Sequence, residues 1–392
     1  MPDQLFIFDS LAVISSVAFA VLWLITIAAA PRRDLAKNGL ANLALILLGS
    51  LLAYFAGSIW VFLAGWFLSS VPFLSASGGL RTLPKASLIF SAAAIAAGGL
   101  LWSLPPTDNT HRAAFAAFVL AALLRKGMFP FHFWVTSAFE TSPLPALSLL
   151  MNGHLGAFLL IRFAVPLMPE RAAEVLPAIA ILALFTAVFA AVRALAETKP
   201  RKILALLCVS QASFVLSGLQ SRNVEGITGA LVLWWVIAFA TTGMIAVYRS
   251  LEARTPEVES PRGYLGFAVP APRLAVFFAL SGLALVGLPG TLGFAAEDLL
   301  FHGALESHPL LGIALPLATA LNAITVFRLF ATLFMGRRGI HAPPISDAKP
   351  AERWALTAVV AFLVVGGLAP GVLVALRSAA AQTLANLLAE RL

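Results

Sequence analysis

Long apolar runs separated by short polar connectors fill most of the chain. A helix that crosses a bilayer needs about 20 apolar residues. On that rule about twelve spans are predicted, near 10–30, 38–55, 57–76, 86–104, 112–138, 144–167, 174–195, 202–220, 226–248, 272–292, 309–335 and 353–376. The fold class is therefore an all-α polytopic membrane protein, one transmembrane domain over residues 1–392. The longest polar connector, 249–273, has mixed charge and is too short for a soluble domain. The closing stretch RSAAAQTLANLLAERL, 377–392, reads as a C-terminal tail: an amphipathic surface helix or simply the end of the last span.

Composition agrees. The chain is 60% hydrophobic and 11% charged, against about 25% charged in soluble proteins. The net charge of +8 does not point to nucleic acid, because the basic residues are spread among connectors. Arg32, Arg33 and Lys37 share one loop; Arg81 and Lys85, then Lys199, Arg201 and Lys202, then Arg249, Arg254 and Arg262, then Arg337 and Arg338 follow on the same side. The alternate loops, such as SLPPTDNTHR and QSRNVEG, are nearly neutral. Basic loops face the cytoplasm, which places this chain in a bacterial inner membrane with its N-terminus outward. The sorting works only if 112–138 crosses once, with Arg125 and Lys126 at membrane depth. The start, MPDQLFIFDS, has no basic region of the kind that opens a cleavable signal. The one cysteine, Cys208, has no disulfide or metal spacing.

Two stretches break the apolar pattern. LLRKGMFPFHFWVTSAFETSPLP, 123–145, carries Arg125, Lys126, Pro130, His132, Glu140, Pro143 and Pro145, and His154 follows in the next span. GLPGTLGFAAEDLLFHGALESH carries Pro289, Glu297, Asp298 and His302, with Glu306 and His308 reading as loop residues. A charge at the bilayer centre costs about 3 kcal/mol upward, so it faces a wet cavity or a partner. Prolines interrupt the helical ladder where protein or water satisfies the freed groups, and broken helices with nearby charge mark ion paths. Two discontinuous helices are thus predicted, near 125–145 and 287–300. Residues four or five apart in the second, such as Glu297 and His302, share a face. The plainer alternatives are snorkelling anchors for Arg125 and Lys126, packed histidines for His132 and His154, an outer-loop position for Glu297 and Asp298, and packing or anchoring for Arg162. No phosphate-cradling loop, Cys cluster or HExxH occurs, so no cofactor and no intrinsic catalysis are expected in this chain.

The stretches RKGMFPFHFW (125–134), PLPALSLLM (143–151), KPRKILALLCVSQASFVLSGL (199–219) and GLPGTLGFAAED (287–298) resemble, in order, motifs of the antiporter-like membrane subunits of respiratory complex I, membrane-bound hydrogenases and multisubunit cation/proton antiporters. The family pattern is a Lys five residues before the Pro of PFHxW, then PTPVSALLH, then GIPPLAGF followed closely by an acidic or basic residue and Asp. The resemblance runs from about 38 to 376. It implies an inverted-repeat architecture, here 38–220 and 226–376, and an ion pathway through Arg125, Lys126, His132, Glu140, His154, Glu297, Asp298 and His302. The arginine five before Pro130, with GHLGAFLLIRFAVPLM (153–168), is similar to the membrane partner of DAB-type inorganic-carbon uptake complexes. There a large carbonic-anhydrase-like zinc protein is the partner. Other membrane-complex subunits are the partners in the wider superfamily.

Departures from the pattern are as informative. Phe67 stands where the family has a glutamate, and Met151 where it has a histidine, with His154 the nearest substitute. Span 226–248 lacks the family's central His and Lys. Arginine does not readily release a proton, so Lys126 is the better carrier. Fewer N-terminal spans precede the motifs than the family usually carries. These departures leave two readings beside the inorganic-carbon one: a subunit of a respiratory, hydrogenase or antiporter assembly, and a scaffold that anchors a partner without conducting.

Overall fold

A computed structural model describes residues 4–74, 83–221, 223–307, 309–338 and 344–389. Arg81 and His308 lie outside them. The described residues form helices and turns, with one isolated bridge between Phe6 and Ala56 that ties the N-terminal strand of chain to the loop after α3. The order is α1 (Ser10–Ala29), a short α2 (Arg32–Leu35), α3 (Gly39–Tyr54), α4 (Ile59–Leu74), α5 (Leu83–Ser103), α6 (Asp108–Lys126), α7 (Phe133–Thr141) and α8 (Leu144–Asn152). Then come α9 (Leu155–Leu159), a π-turn (Leu160–Ala164), α10 (Val165–Leu167), α11 (Pro169–Ala196), α12 (Pro200–Gly218) and α13 (Val224–Glu252). The chain closes with α14 (Pro272–Leu285), α15 (Leu292–Ser307), α16 (Pro309–Phe334), α17 (Pro350–Leu368) and α18 (Pro370–Ala389).

Nine helices among the described residues are long and apolar enough to cross a membrane, and α3, α4 and α14 are shorter apolar helices. Position in the bundle follows from which faces are apolar. Both α12 and α13 are buried nearly all round, as expected of helices without a polar face that sit inside a protein. By contrast α1 exposes Val13, Val17, Val21 and Leu24 at helical spacing while burying Leu11, Phe19 and Leu22. That stripe is its lipid face. Within lipid the association rests on close packing and interhelical hydrogen bonds rather than on burial from water.

The breaks fall near the predicted places, with three differences. The first interruption is residues 127–132, between α6 and α7. Pro143 and Pro145 lie outside it: they begin α8, where a proline costs no ladder bond. The following span is itself broken at Gly153–His154, and His154 adopts a left-handed φ of 47°. Lastly, the span expected at 353–376 ends at Leu368. Residues from Pro370 form α18, so the predicted tail boundary at 377 falls inside a helix of the bundle.

Candidate functional site

The site grows from the C-terminal end of α6. Gly127 terminates that helix at φ +66° and its N–H caps the carbonyls of Leu123 and Leu124. A side chain there would also collide with Val135. The peptide bond Phe129–Pro130 is cis. Groups freed by the interruption are bonded by protein: Trp134 Nε1 donates to the Leu124 carbonyl at 2.7 Å, and the Phe129 N–H donates to Thr186 Oγ1 at 3.1 Å. That is the condition under which irregular backbone survives at membrane depth.

Arg125 and Lys126, adjacent in sequence, point to different partners. The guanidinium of Arg125 donates to Ser70 Oγ at 2.5 Å and Ser69 Oγ at 2.7 Å, and lies 4.8 Å from the Trp66 ring. All three partners come from α4, the helix that carries Phe67. Phe67 itself points outward and is 48% exposed. The arginine therefore meets hydroxyls and an aromatic face where a carboxylate would be the expected counter-ion. Lys126 is buried, and its Nζ contacts Nδ1 of His154. The left-handed turn at His154 brings the imidazole to it, and Gly156 gives the lysine stem room.

From His154 a row of neutral polar groups runs toward the end where the basic loops lie. Asn152 Nδ2 donates to Thr242 Oγ1 (3.0 Å) and to the Ala238 carbonyl (3.2 Å), and Thr241 Oγ1 donates to Asn152 Oδ1 at 3.0 Å. Ser148 and Thr242 share a hydrogen bond of 3.1 Å. Both line a narrow cavity that reaches Arg249. Beyond it opens a charged mouth lined by Asp34, Glu140, Lys199, Arg201, Arg249 and Glu259. Its floor is an ion-pair network. Arg249 holds Asp34 through two 2.6 Å contacts and Glu252 at 2.7 Å, while Arg201 holds Glu252 at 2.6 and 2.8 Å.

The second break, residues 286–291, lies between α14 and α15. Gly287 adopts φ +68°, and Oε2 of Glu297 lies 2.5 Å from where a Cβ would be. Only a glycine lets the carboxylate pack against the broken backbone. Thr319 Oγ1 on α16 donates to Glu297 Oε1 at 3.4 Å.

The predicted residues thus separate into groups. Lys126 meets His154, and Arg125 is beside them. His132 is buried just past the break in an aromatic nest, with Phe129, Phe133 and Phe189 at ring-centroid distances of 6.0, 4.0 and 5.0 Å. Glu140 does not meet Arg125. It pairs with Lys199 (2.9 Å) and Lys202 (3.4 Å) at the mouth. Burial raises its proton affinity, but these two ammonium groups outweigh that and hold the carboxyl below its ordinary range. Glu297 does not share a partner with Asp298 or His302. Those two face outward and pair with each other at 3.5 Å. Arg162 is an anchor, bidentate to Asp9 at 2.6 and 2.8 Å.

Asn152, neutral and buried, carries no charge that marks it in the sequence. Arg377, in the stretch read as a tail, is 1% exposed, stacks on Trp235 and donates to Ser15 Oγ at 3.1 Å.

This arrangement is a helical membrane bundle that sets ionisable side chains at interrupted helices. Residues 67–322 match the family described as NADH:quinone oxidoreductase/Mrp antiporter, transmembrane, and the chain belongs to that family. It is 28% identical over 311 residues to NADH-quinone oxidoreductase subunit 13 of Thermus thermophilus, covering 79% of this chain and 64% of the relative. It is 27% identical over 258 residues to NADH-quinone oxidoreductase subunit N 3 of Streptomyces griseus, covering 65% and 47%. The chain thus spans roughly half to two thirds of the length of these curated relatives. Its fold superposes on a chain of respiratory complex I from Thermus thermophilus with a TM-score of 0.85 at 26% identity, covering 98% of this chain and 86% of the other. A chain of the Mrp complex from Dietzia sp. shares the fold with a TM-score of 0.84 at 17% identity, covering 98% and 84%.

Proposed function

We propose that this chain conducts protons, or sodium ions, and couples an ion gradient to a partner protein. The observation that carries this reading is the pair Lys126–His154, buried at one interrupted helix, and Glu297, half-buried against the other. Buried ionisable groups in spans are costly, and they accompany ion and proton relays. The half-path from the charged mouth through Ser148, Thr242 and Asn152 supports it, because it leads from the basic end to within two residues of His154. Glu297 is the carrier on the far side. The neutral centre of α13 is what favours the alternative, a scaffold that anchors a partner without conduction.

The partner follows from weaker marks. Arg125 in place of the family lysine, and the run 153–168, favour inorganic-carbon (CO2/bicarbonate) uptake with a large carbonic-anhydrase-like zinc protein. The names of the relatives favour a complex I-like, hydrogenase or antiporter assembly.

Two experiments decide. Proton uptake is measured in liposomes containing the complex isolated from its native membrane. Glu297→Gln is expected to abolish gradient-coupled uptake with assembly intact; full uptake in that variant removes Glu297 from the path. Mass spectrometry of proteins that co-purify in mild detergent identifies the partner. A single large soluble zinc protein supports carbon uptake, and a set of redox or antiporter subunits replaces it.

A further inference from the structure

Span 226–248 carries no Asp, Glu, His, Lys or Arg, so the middle of α13 offers no charged stepping stone between Lys126 and Glu297. Polar side chains on α12 and α16 offer another route. Cys208 is buried on α12, next to Val209, whose side chain packs against Gly127, the residue after Lys126. Gln211 follows Cys208 by three residues and Ser210 by one. At about 100° per residue its side chain falls on the sector of α12 between those two. Ser210 Oγ receives a 2.8 Å hydrogen bond from Asn322 Nδ2 of α16 and donates to the Ala187 carbonyl at 2.8 Å. Asn322 is three residues from Thr319, which donates to Glu297. The polar side chains along this line are Cys208, Gln211, Ser210, Asn322 and Thr319; Asn322 to Ser210 and Thr319 to Glu297 are hydrogen bonds, and neighbours on one helix are one to three residues apart.

Among the described residues, two side chains on this line have polar atoms with no protein partner. Gln211 is fully buried, yet neither its Nε2 nor its Oε1 has a protein partner; Asn322 Oδ1, also fully buried, has none. In native interiors such groups bond ordered water. An amide offers both donors and an acceptor, so it holds a water in either orientation without taking a proton.

We propose that Gln211 and Asn322 hold a single file of water that carries protons between Lys126 and Glu297 by way of α12 and α16, bypassing α13. This rests on the conducting reading above. A proton leaving the Lys126 ammonium enters the first water, each water passes on one of its own, and the Glu297 carboxylate takes the last. Nothing is left charged in between. Gln211 and Asn322 act through the water they position.

The first test does not depend on conduction. Pulsed hydroxyl-radical footprinting oxidises buried side chains only where water lies beside them. In the complex as isolated, Cys208 and Phe214, buried three residues to either side of Gln211 on α12, are expected to label rapidly, and Gln211→Leu to suppress that labelling. Absence of labelling in the native chain overturns the proposal. The second test is proton uptake in liposomes. Gln211→Leu and Asn322→Leu are each expected to cut it several-fold, with Gln211→Asn partly restoring it. Leucine variants that assemble, by size-exclusion profile, and conduct at the native rate also overturn the file while leaving the conducting reading intact. If the native complex conducts nothing, that reading fails, and the footprint alone decides whether the water is there.

Discussion

Arg377 on α18 stacks on Trp235 of α13, its guanidinium carbon 4.0 Å from the ring centroid. Trp234 lies 5.5 Å away on the same side. A desolvated cation–π contact is worth about 2 kcal/mol. Arg377→Met and Trp235→Leu are therefore expected to show a coupling of that size in a double-mutant cycle of thermal stability. Additive effects would mean that the stack holds α18 to α13 by shape alone.

Arg125 depends on two hydroxyls in the membrane interior. Hydrogen bonds to a charged group contribute about 1.5–3 kcal/mol. Replacing Ser69 and Ser70 together with alanine leaves the guanidinium with Trp66 only, and a loss of about 3 kcal/mol or more is expected. Unfolding of the detergent-solubilised protein measures it. Arg125→Lys is expected to destabilise as well, since an ammonium does not match the planar fork that reaches both serines. Native stability in the double serine variant would show that Arg125 is solvated.

At the second break, Gly287→Ala meets both a left-handed backbone and the Glu297 carboxylate. The backbone cost alone is about 1 kcal/mol. Displacement of Glu297 is expected to lower proton uptake, and adding Glu297→Gln to this variant is expected to change uptake no further. A second, additive loss would separate the two positions.

Glu140 gives a pH prediction. Its carboxyl is held below the ordinary range by Lys199 and Lys202. A depressed carboxyl contributes stability above the unfolded carboxyl value, roughly pH 4, and loses it as pH falls through the folded value. Glu140→Gln is expected to flatten that acid limb of the thermal stability profile. A limb as steep as in the native protein would show that the Lys199 and Lys202 pairs do not set it.

Much of the site was legible, for a physical reason. A charge in an apolar run is costly enough to stand out unaided, and so Arg125, Lys126 and Glu297 were visible, as were the prolines and glycines around them. Neutral polar residues carry no such signal. Asn152, Gln211 and Asn322 look like packing until a neighbour is known. The pairing of Lys126 with His154 spans 28 positions and depends on one left-handed residue. Glu140 was grouped with Arg125 by proximity in sequence, but the interruption at 127–132 and the whole of α7 separate them. Arg377 was missed because a helix ending near residue 376 seemed to close the bundle.

The sequence by itself determined the all-helical membrane class, the order of the spans, the alternation of basic loops and the two sites of interruption. Each is local: apolar length, charge and backbone breakers act within one or two turns. Tertiary structure alone decided which groups meet. It set hydroxyls against Arg125, an imidazole against Lys126, an indole against Arg377, and neutral amides where α13 offers no charge. Those outcomes depend on how helices distant in sequence rotate and pack, and no local pattern records that rotation.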